Sequence, residues 1–254
     1  MRLLLTSSLG VHRLIDGQWL TCPLNENWGQ TSLLKEAAGP DVSCLIVASD
    51  PADLAMNDAQ LHDIGLSFSQ AGAELRSLHL LDDRNRGDLR RLLDMCSLVI
   101  LSGGHVPTEN LFFHEIGLKE ALADYEGLVV GTSAGSMNSA DTVYAQPELP
   151  GEAVDPEYRR YLPGLGLTRI SILPHFLPDS RETLDGLDLM RDISLPDSFR
   201  RPFVCLSDGG CILQEGRDAA SVSLYGPAWL CKNGELTPLV EAGEKKTFPI
   251  EQLC

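Results

Sequence analysis

The sequence predicts an α/β fold in which a mostly parallel sheet has helices on both faces and antiparallel strands follow near the C-terminus. Between residues 3 and 140, short apolar runs alternate with segments of helical periodicity, a pattern typical of parallel strands joined by helices. Later, short strand-like runs follow one another with Gly-containing turns between them, which is typical of antiparallel pairing. Because an α/β chain of 254 residues routinely forms one domain, we expect a single α/β domain over residues 1–254.

The first half of the chain supplies the parallel strands and the helices between them. Nearly continuous apolar runs, typical of strands buried on both faces, lie at residues 3–6, 43–48, 97–101 and 128–130, with an alternating run at 74–80. Patterns typical of helices cover residues 30–38, 58–72, 88–95 and 109–122. In such sheets ligands bind beyond the carboxyl ends of the strands, where the loops after residues 101 and 130 emerge.

Proline and glycine interrupt the second half of the chain. We expect residues 144–165 to form a long surface loop, which in a compact domain is more often functional than idle. A strand over 167–173 and a helix over about 181–193 are predicted to follow. Short strands are then predicted at 203–206, 210–213, 220–224 and 229–232, with turns at Asp208-Gly209 and Asn233-Gly234.

The charge of the chain argues against two classes of partner. With 36 acidic and 20 basic residues the formal net charge is -16, so nucleic acid and an anionic membrane surface would both be repelled. No stretch approaches the roughly 20 apolar residues of a membrane span, and the apolar run at the N-terminus is too short for the core of a signal peptide. We therefore expect a cytoplasmic protein that binds neither nucleic acid nor membrane.

The cysteines and histidines predict neither a disulfide framework nor a metal centre. The seven cysteines are scattered without a Cys-x-x-Cys pair, and those in apolar runs are expected to be buried small hydrophobic residues. His105, Glu109 and His114 lie close in sequence, but their spacing fits no common ligand motif. We expect no metal and no cofactor.

A serine at the tip of a strand-to-helix turn is the first candidate functional residue. The apolar run 128–130 stops at Gly131, and Gly135 closes the pentapeptide Gly-Thr-Ser-Ala-Gly around Ser133. Such a nucleophile elbow needs small residues two before and two after the serine, because side chains there would collide across the turn. The turn exposes the hydroxyl, and the helix that begins there offers unpaired N–H groups to a developing negative charge.

A serine hydroxyl needs a neighbouring base to become a nucleophile. Of six histidines only His175 lies downstream of Ser133, and it follows a predicted strand, so it would reach the same edge of the sheet. A carboxylate would hold the imidazole in the correct tautomer. The residues alone leave four candidates open, Asp141, Glu148, Glu152 and Asp155.

A glycine pair provides a second source of oxyanion-binding N–H groups. Gly103-Gly104 follows the strand at 97–101, and we expect the N–H of Gly104 to act beside that of Ala134. His105 continues the same loop and is predicted to line the pocket.

In this order the motifs resemble those of the serine peptidases of the dipeptidase E (aspartyl dipeptidase) and cyanophycinase group, whose fold is flavodoxin-like and similar to class I glutamine amidotransferases. The resemblance rests on the Gly103-Gly104 loop, the elbow around Ser133, Gly164-Leu-Gly-Leu leading to Pro174-His175-Phe176, and the late turn Asp208-Gly209-Gly210. It implies Ser133 as nucleophile and His175 as general base. The family's acidic member lies about fifteen residues after the serine, which implies Glu148.

The resemblance also implies a substrate-binding arginine shortly after the His-Phe pair, and Arg181 is the nearest match. The glycine loop departs from the common Gly-Gly-Asn-Thr by running Gly104-His105-Val106, so we expect different chemistry facing the substrate, with His105 among the substrate-binding residues.

The leading hypothesis is a hydrolase that cleaves a dipeptide or short peptide through an acyl-enzyme formed on Ser133. A non-catalytic small-molecule-binding or regulatory protein on the same scaffold is the alternative. A glutamine amidotransferase is disfavoured because residue 133 is serine rather than cysteine, and an α/β-hydrolase esterase because its histidine would come later in the chain. A homodimer is left open.

Overall fold

A central sheet of eight strands organises the protein. The computed structural model describes residues 1–179 and 181–254. Within them the strands are β1 (Arg2–Thr6), β2 (His12–Ile15), β3 (Gln18–Thr21), β4 (Ser43–Val47), β5 (Ser77–Leu81), β6 (Leu98–Leu101), β7 (Leu128–Thr132), β8 (Thr142–Tyr144), β9 (Tyr161–Pro163), β10 (Ile172–Leu173), β11 (Thr183–Leu184), β12 (Leu187–Asp188), β13 (Phe203–Leu206), β14 (Cys211–Glu215), β15 (Ser221–Tyr225), β16 (Ala228–Lys232), β17 (Glu235–Val240) and β18 (Lys245–Pro249).

Helices cover both faces of this sheet. The α-helices are α1 (Gln30–Ala38), α2 (Leu54–Gln70), α3 (Leu89–Met95), α4 (Val106–Glu115), α5 (Leu118–Ala121), α6 (Ala134–Asn138), α7 (Leu195–Asp197) and α8 (Ile250–Leu253). Short 3-10 turns at Asn27–Gly29 and Arg86–Asp88 precede α1 and α3, and a π-helical segment at Leu189–Ser194 precedes α7.

The central sheet has the order β18-β15-β14-β1-β7-β6-β4-β5. Strands β1, β7, β6, β4 and β5 are mutually parallel, whereas β14, β15 and β18 extend the sheet antiparallel beyond β1. The predicted α/β class, with a mostly parallel sheet and an antiparallel C-terminal part, is confirmed. The carboxyl ends of β1, β6 and β7 meet at one edge, which is where the loops with the candidate residues emerge.

Alternation along the parallel strands divides the core in two. Leu3 and Leu5 of β1 pack on the face covered by α3 and α4, while Leu4 packs on the face covered by α1 and α2. All three leucines are completely buried. Because both faces are covered, the inner strands β4 and β6 are buried throughout, as the continuous runs predicted, whereas the edge strand β5 is buried only at its end.

A second sheet, β10-β13-β16-β17, packs on the central one. Val204 and Leu206 of β13 belong to the core shared with the central sheet, whereas Phe203 and Cys205 face a smaller cluster that includes Tyr144 and Phe176. Strands β10 and β13 are parallel, so the residues that follow each of them emerge at the same end.

Three predicted elements differ from the structure. The predicted helix over 181–193 is wrong for its first part: β11 and β12 form a hairpin whose turn residues Asp185 and Gly186 both have positive φ, as a two-residue turn requires. The end of the predicted range is helical, within the π-helical segment Leu189–Ser194. The predicted strand over 167–173 shortens to β10, because backbone N–H groups such as that of Leu167 bond to the segment after α6. The predicted helix over 109–122 divides at Gly117, whose φ of 63° is left-handed.

The predicted loop over 144–165 begins and ends in paired strands. Strand β8 pairs with β9, and the rings of Tyr144 and Tyr161 lie 5.5 Å apart across the pair. Residues 145–160 lie between the two strands. Among the described residues, no helix has the length and apolar character needed to cross a membrane.

Candidate active site

The turn at Ser133 is a sharp elbow between β7 and α6. Ser133 has φ 51° and ψ -118°, a conformation that L-residues rarely adopt and that is typical of strained functional turns. Its backbone N–H donates to the carbonyl of Thr6 at the end of β1, and its carbonyl accepts from the N–H groups of Ser136 and Met137. The backbone on both sides of Ser133 is therefore fixed.

The two glycines of the elbow have no room for a side chain. A Cβ on Gly131 would lie 2.8 Å from the carbonyl oxygen of Gly135, and one on Gly135 would overlap the backbone carbonyls of Leu101 and Ser102. The elbow thus depends on the two glycines that the sequence places around Ser133.

Replacing Gly135 by alanine should lower the free energy of unfolding by about 3 kcal/mol, because the new methyl group meets backbone that has no room to move. Chemical denaturation measures this. Gly87→Ala is the matched control, since no atom lies within 4 Å of its added Cβ, and we expect a change of at most about 0.5 kcal/mol. Equal stability of the two variants would contradict the close packing of the elbow.

His175 lies within hydrogen-bond distance of Ser133. It follows β10 with φ 55°, and its backbone N–H donates to the hydroxyl of Ser7 beyond β1. Its Nε2 is 2.8 Å from Ser133 Oγ, and its Nδ1 is 2.7 Å from Asp208 Oδ1. The structure therefore brings the predicted nucleophile and base together, with a carboxylate on the far side of the imidazole.

Asp208 was not among the four carboxylates that the sequence offered. It follows β13 in the tight turn Ser207–Gly210, where the Gly210 N–H donates to the Ser207 carbonyl and Gly209 has φ 84°. Because β10 and β13 are parallel and adjacent, His175 and Asp208 each lie two residues beyond a strand end and meet there. The position of Asp208 directly after an apolar strand was the signal that could have identified it.

The ionisation of Asp208 sets the tautomer of His175. The hydrogen bond from His175 holds the pKa of Asp208 below its usual value, although burial opposes this. An ionised carboxylate only accepts hydrogen bonds, so Nδ1 of His175 carries a proton and donates it to Asp208. In the neutral ring Nε2 is then an acceptor for the Ser133 hydroxyl.

The two predicted oxyanion donors lie close to Ser133 in the chain or in the fold: Ala134 follows it directly, and Gly104 lines the same cleft. Ala134 is the first residue of α6, and Gly104 lies in the loop between β6 and α4. In the part of the chain that the structure describes, neither N–H has a hydrogen-bond partner. A Cβ on Gly103 would lie 2.9 Å from Ser133 Cβ, so the glycine loop lies against the elbow.

A cleft of about 320 Å³ opens onto Ser133 and His175. About half of its wall is apolar, with Met137 from α6, Leu173 and Phe176 around β10, and Leu189 and Met190 from the π-helical segment. The acidic residues that line it are Glu148 and Glu182.

Glu148 lines this cleft but does not bond to His175. The prediction that Glu148 orients the imidazole is therefore corrected: Asp208 occupies Nδ1, and Nε2 is bonded to Ser133. Desolvation in the cleft raises the pKa of Glu148 to about 7, against the opposing effect of His105 and with a further increase from Glu152.

His105 lies outside the cleft wall and connects two loops. Its Nδ1 is 2.8 Å from Thr108 Oγ1, and its Nε2 is 2.8 Å from Glu152 Oε1. Because both ring nitrogens of His105 are bonded to other residues of the protein, the prediction that His105 binds the substrate is corrected. Its contacts are structural. His105 fixes the loop over 145–160 to the glycine loop.

Arg181 is exposed and does not contribute to the cleft wall. The hairpin β11–β12, rather than the predicted helix, follows it, so the sequence pattern that suggested a helix-start arginine does not apply. The structure does not bring the predicted substrate-binding arginine to the candidate site.

The described residues contain no group of three or more His, Cys, Asp or Glu side chains placed to hold a metal ion. In the described part of the chain the cysteines form no disulfide bonds. Burial raises the pKa of the Cys44 and Cys205 thiols well above the usual value. These buried thiols are inert as nucleophiles at neutral pH.

Two comparisons with known proteins bear on this site. The model of peptidase family S51 matches residues 52–222, which is about two thirds of the chain and includes Ser133, His175 and Asp208. The fold is similar to the 1.5 Å crystal structure of a candidate peptidase E protein from Listeria monocytogenes EGD-e, with a TM-score of 0.55 and 14% identity over 85% of this chain and 95% of that chain. Among curated proteins, none matches the sequence.

Proposed function

The chain belongs to peptidase family S51, the family of dipeptidase E and cyanophycinase, and from this premise we propose that it is a serine peptidase that hydrolyses dipeptides or short peptides. Ser133 is the proposed nucleophile and His175 the general base. Asp208 positions the imidazole, and the N–H groups of Gly104 and Ala134 bind the oxyanion.

In the proposed acylation step, Ser133 Oγ attacks the carbonyl carbon of the scissile amide while its proton passes to His175 Nε2. The negative charge that develops on the carbonyl oxygen is stabilised by the two free N–H groups. His175 then donates the proton to the amide nitrogen, the carbon–nitrogen bond breaks, and the amine leaves. Asp208 stabilises the imidazolium that exists between the two proton transfers.

In the proposed deacylation step, a water molecule takes the place of the leaving amine. His175 accepts a proton from the water as its oxygen attacks the ester carbonyl of the acyl-enzyme, and it then returns the proton to Ser133 Oγ. The product acid is released and the hydroxyl is restored. No cofactor takes part in either step.

The observation that carries the proposal is the hydrogen-bonded series Ser133–His175–Asp208, with distances of 2.8 and 2.7 Å. Both Ser133 and His175 also have positive φ, a conformation that is uncommon for residues other than glycine. The small cleft, bordered by the loop over 145–160, supports short rather than long peptides as substrates.

A fluorophosphonate probe tests this proposal. We expect it to modify the native protein at one residue, Ser133, as mapped by mass spectrometry of the digested protein. Ser69→Ala, which removes an exposed hydroxyl on α2, should be modified like the native protein. Modification at another serine, or none at all, would contradict the proposed nucleophile.

A further inference from the structure

In the part of the chain that the structure describes, the cleft beside Ser133 is lined by acidic and apolar side chains and by one basic side chain. Among the described residues that line it, His175 is the sole basic side chain, and it is bonded to Ser133 and Asp208. Within the described part of the chain, the carboxylate of Glu148 accepts no hydrogen bond. Its backbone N–H donates to Glu152. A carboxylate left without a donor in a cleft is available to a cationic group of a ligand.

Building on the proposed function, we propose that Glu148 binds the α-ammonium group of the substrate's N-terminal residue, and that this residue has an uncharged, apolar side chain. The α-nitrogen of an N-terminal residue is separated from the scissile carbonyl carbon by one carbon atom. A carboxylate that binds this nitrogen must therefore lie in the same cleft as the nucleophile, as Glu148 does beside Ser133.

The backbone that carries Glu148 is fixed in place. The N–H groups of Glu148 and Leu149 donate to Glu152 Oε2 at 2.8 and 2.9 Å, and the other oxygen of Glu152 is bonded to His105. Asp185 in the β11–β12 turn accepts from the N–H of Gly151, 2.9 Å away. Such support allows a surface loop to hold one carboxylate at a defined place.

The apolar wall determines which side chain the N-terminal residue can carry. Met137, Leu173 and Met190 offer thioether and aliphatic contacts, which suit a leucine- or methionine-sized side chain. An aspartyl side chain would instead be desolvated without a cation to pair with it. It would also be repelled by the carboxylate of Glu148 in the same cleft.

Because Glu148 binds a cation only when it is ionised, binding of the ammonium group should depend on pH. Its pKa is raised to about 7, chiefly by desolvation, so the carboxylate is charged above pH 7 and neutral below it. Binding of the ammonium group should therefore weaken as the pH falls from about 7.5 to 6. A blocked substrate, which has no ammonium group, should show no such additional loss.

Three dipeptides test the proposal: Leu-Gly, N-acetyl-Leu-Gly and Asp-Gly, with released glycine measured by chromatography. For the native protein we expect kcat/KM for Leu-Gly to exceed those for the other two by at least about 10-fold, the scale of one charge-assisted hydrogen bond. The ratio of Leu-Gly to N-acetyl-Leu-Gly should fall between pH 7.5 and 6. Glu148→Gln should bring this ratio close to 1 at either pH.

Glu157→Gln is the matched control, because it removes one carboxylate from an exposed position of the same loop. It should keep the native ratio. A native preference for N-acetyl-Leu-Gly or for Asp-Gly would overturn the proposal, even if Glu148→Gln did not fold. The proposal would also be overturned if Glu148→Gln kept the native ratio of Leu-Gly to N-acetyl-Leu-Gly, or if it lowered kcat/KM equally for both substrates.

The outcomes separate this inference from the proposed function. If the fluorophosphonate modifies Ser133 but the three dipeptides show no such preference or no cleavage, Glu148 and the apolar wall do not select the substrate, and this inference alone is overturned. If Ser133 is not modified, the proposed function fails, and the inference that rests on it fails with it.

Discussion

Ser133→Ala should lower kcat by about 10⁴- to 10⁶-fold, the loss seen when the nucleophile of a serine hydrolase is removed. The variant retains the two N–H groups and the imidazole, so binding and oxyanion stabilisation persist while acylation is blocked. Hydrolysis of Leu-Gly by the purified variant, followed to low conversion, measures the remaining rate.

The variant should fold like the native protein, because the Ser133 side chain is only partly buried and its one side-chain bond is to His175. An unchanged melting temperature would show that the loss is chemical. Ser69→Ala is again the control and should retain the native kcat. A Ser133→Ala variant with more than one hundredth of the native kcat would contradict the proposed mechanism.

Asp208→Asn is expected to have the second largest effect, a loss of about 10³- to 10⁴-fold in kcat. An asparagine amide group can donate to Nδ1 of His175, which moves the ring proton to Nε2. In that tautomer Nε2 faces Ser133 with a proton and cannot accept another. The imidazolium also loses the negative charge that stabilises it during catalysis.

Separate measurement of kcat and KM shows whether Asp208 positions His175 or binds the substrate. For Asp208→Asn the loss should appear in kcat with little change in KM, since Asp208 does not line the cleft. Asp179→Asn, an exposed carboxylate four residues after His175, is the control and should leave both parameters unchanged. If Asp208→Asn kept the native kcat, Asp208 would not be the carboxylate that orients His175.

The sequence predicted the elbow well because its requirements are local. A strand, two glycines and a serine within five residues determine the turn, and the backbone contacts at Gly131 and Gly135 show why no other residue fits. His175 was predicted because it lies downstream of Ser133, follows a predicted strand and matches the His-Phe pair of the family resemblance. Its strand, however, belongs to the second sheet rather than to the central one, which no local pattern in residues 167–173 reveals.

Asp208 was missed because its partner is distant in sequence. Its meeting with His175 depends on the parallel pairing of β10 and β13, which are thirty residues apart and joined by a hairpin and a π-helical segment. The family spacing of about fifteen residues after the serine pointed to Glu148, which lines the cleft but does not contact His175. Asp185-Gly186 was a hairpin signal within the predicted helix over 181–193, and it outweighed the helical periodicity there.

The nucleophile and the imidazole belong to different layers of the molecule, Ser133 to the central sheet and His175 to the smaller one. A slight tilt of one layer against the other would part the two side chains while leaving each loop intact. Val204 and Leu206 are buried between the layers and do not line the cleft, yet their packing holds the two layers at this angle. A substitution that reshapes this buried contact is therefore expected to change the distance between Ser133 and His175 without altering any residue of the cleft.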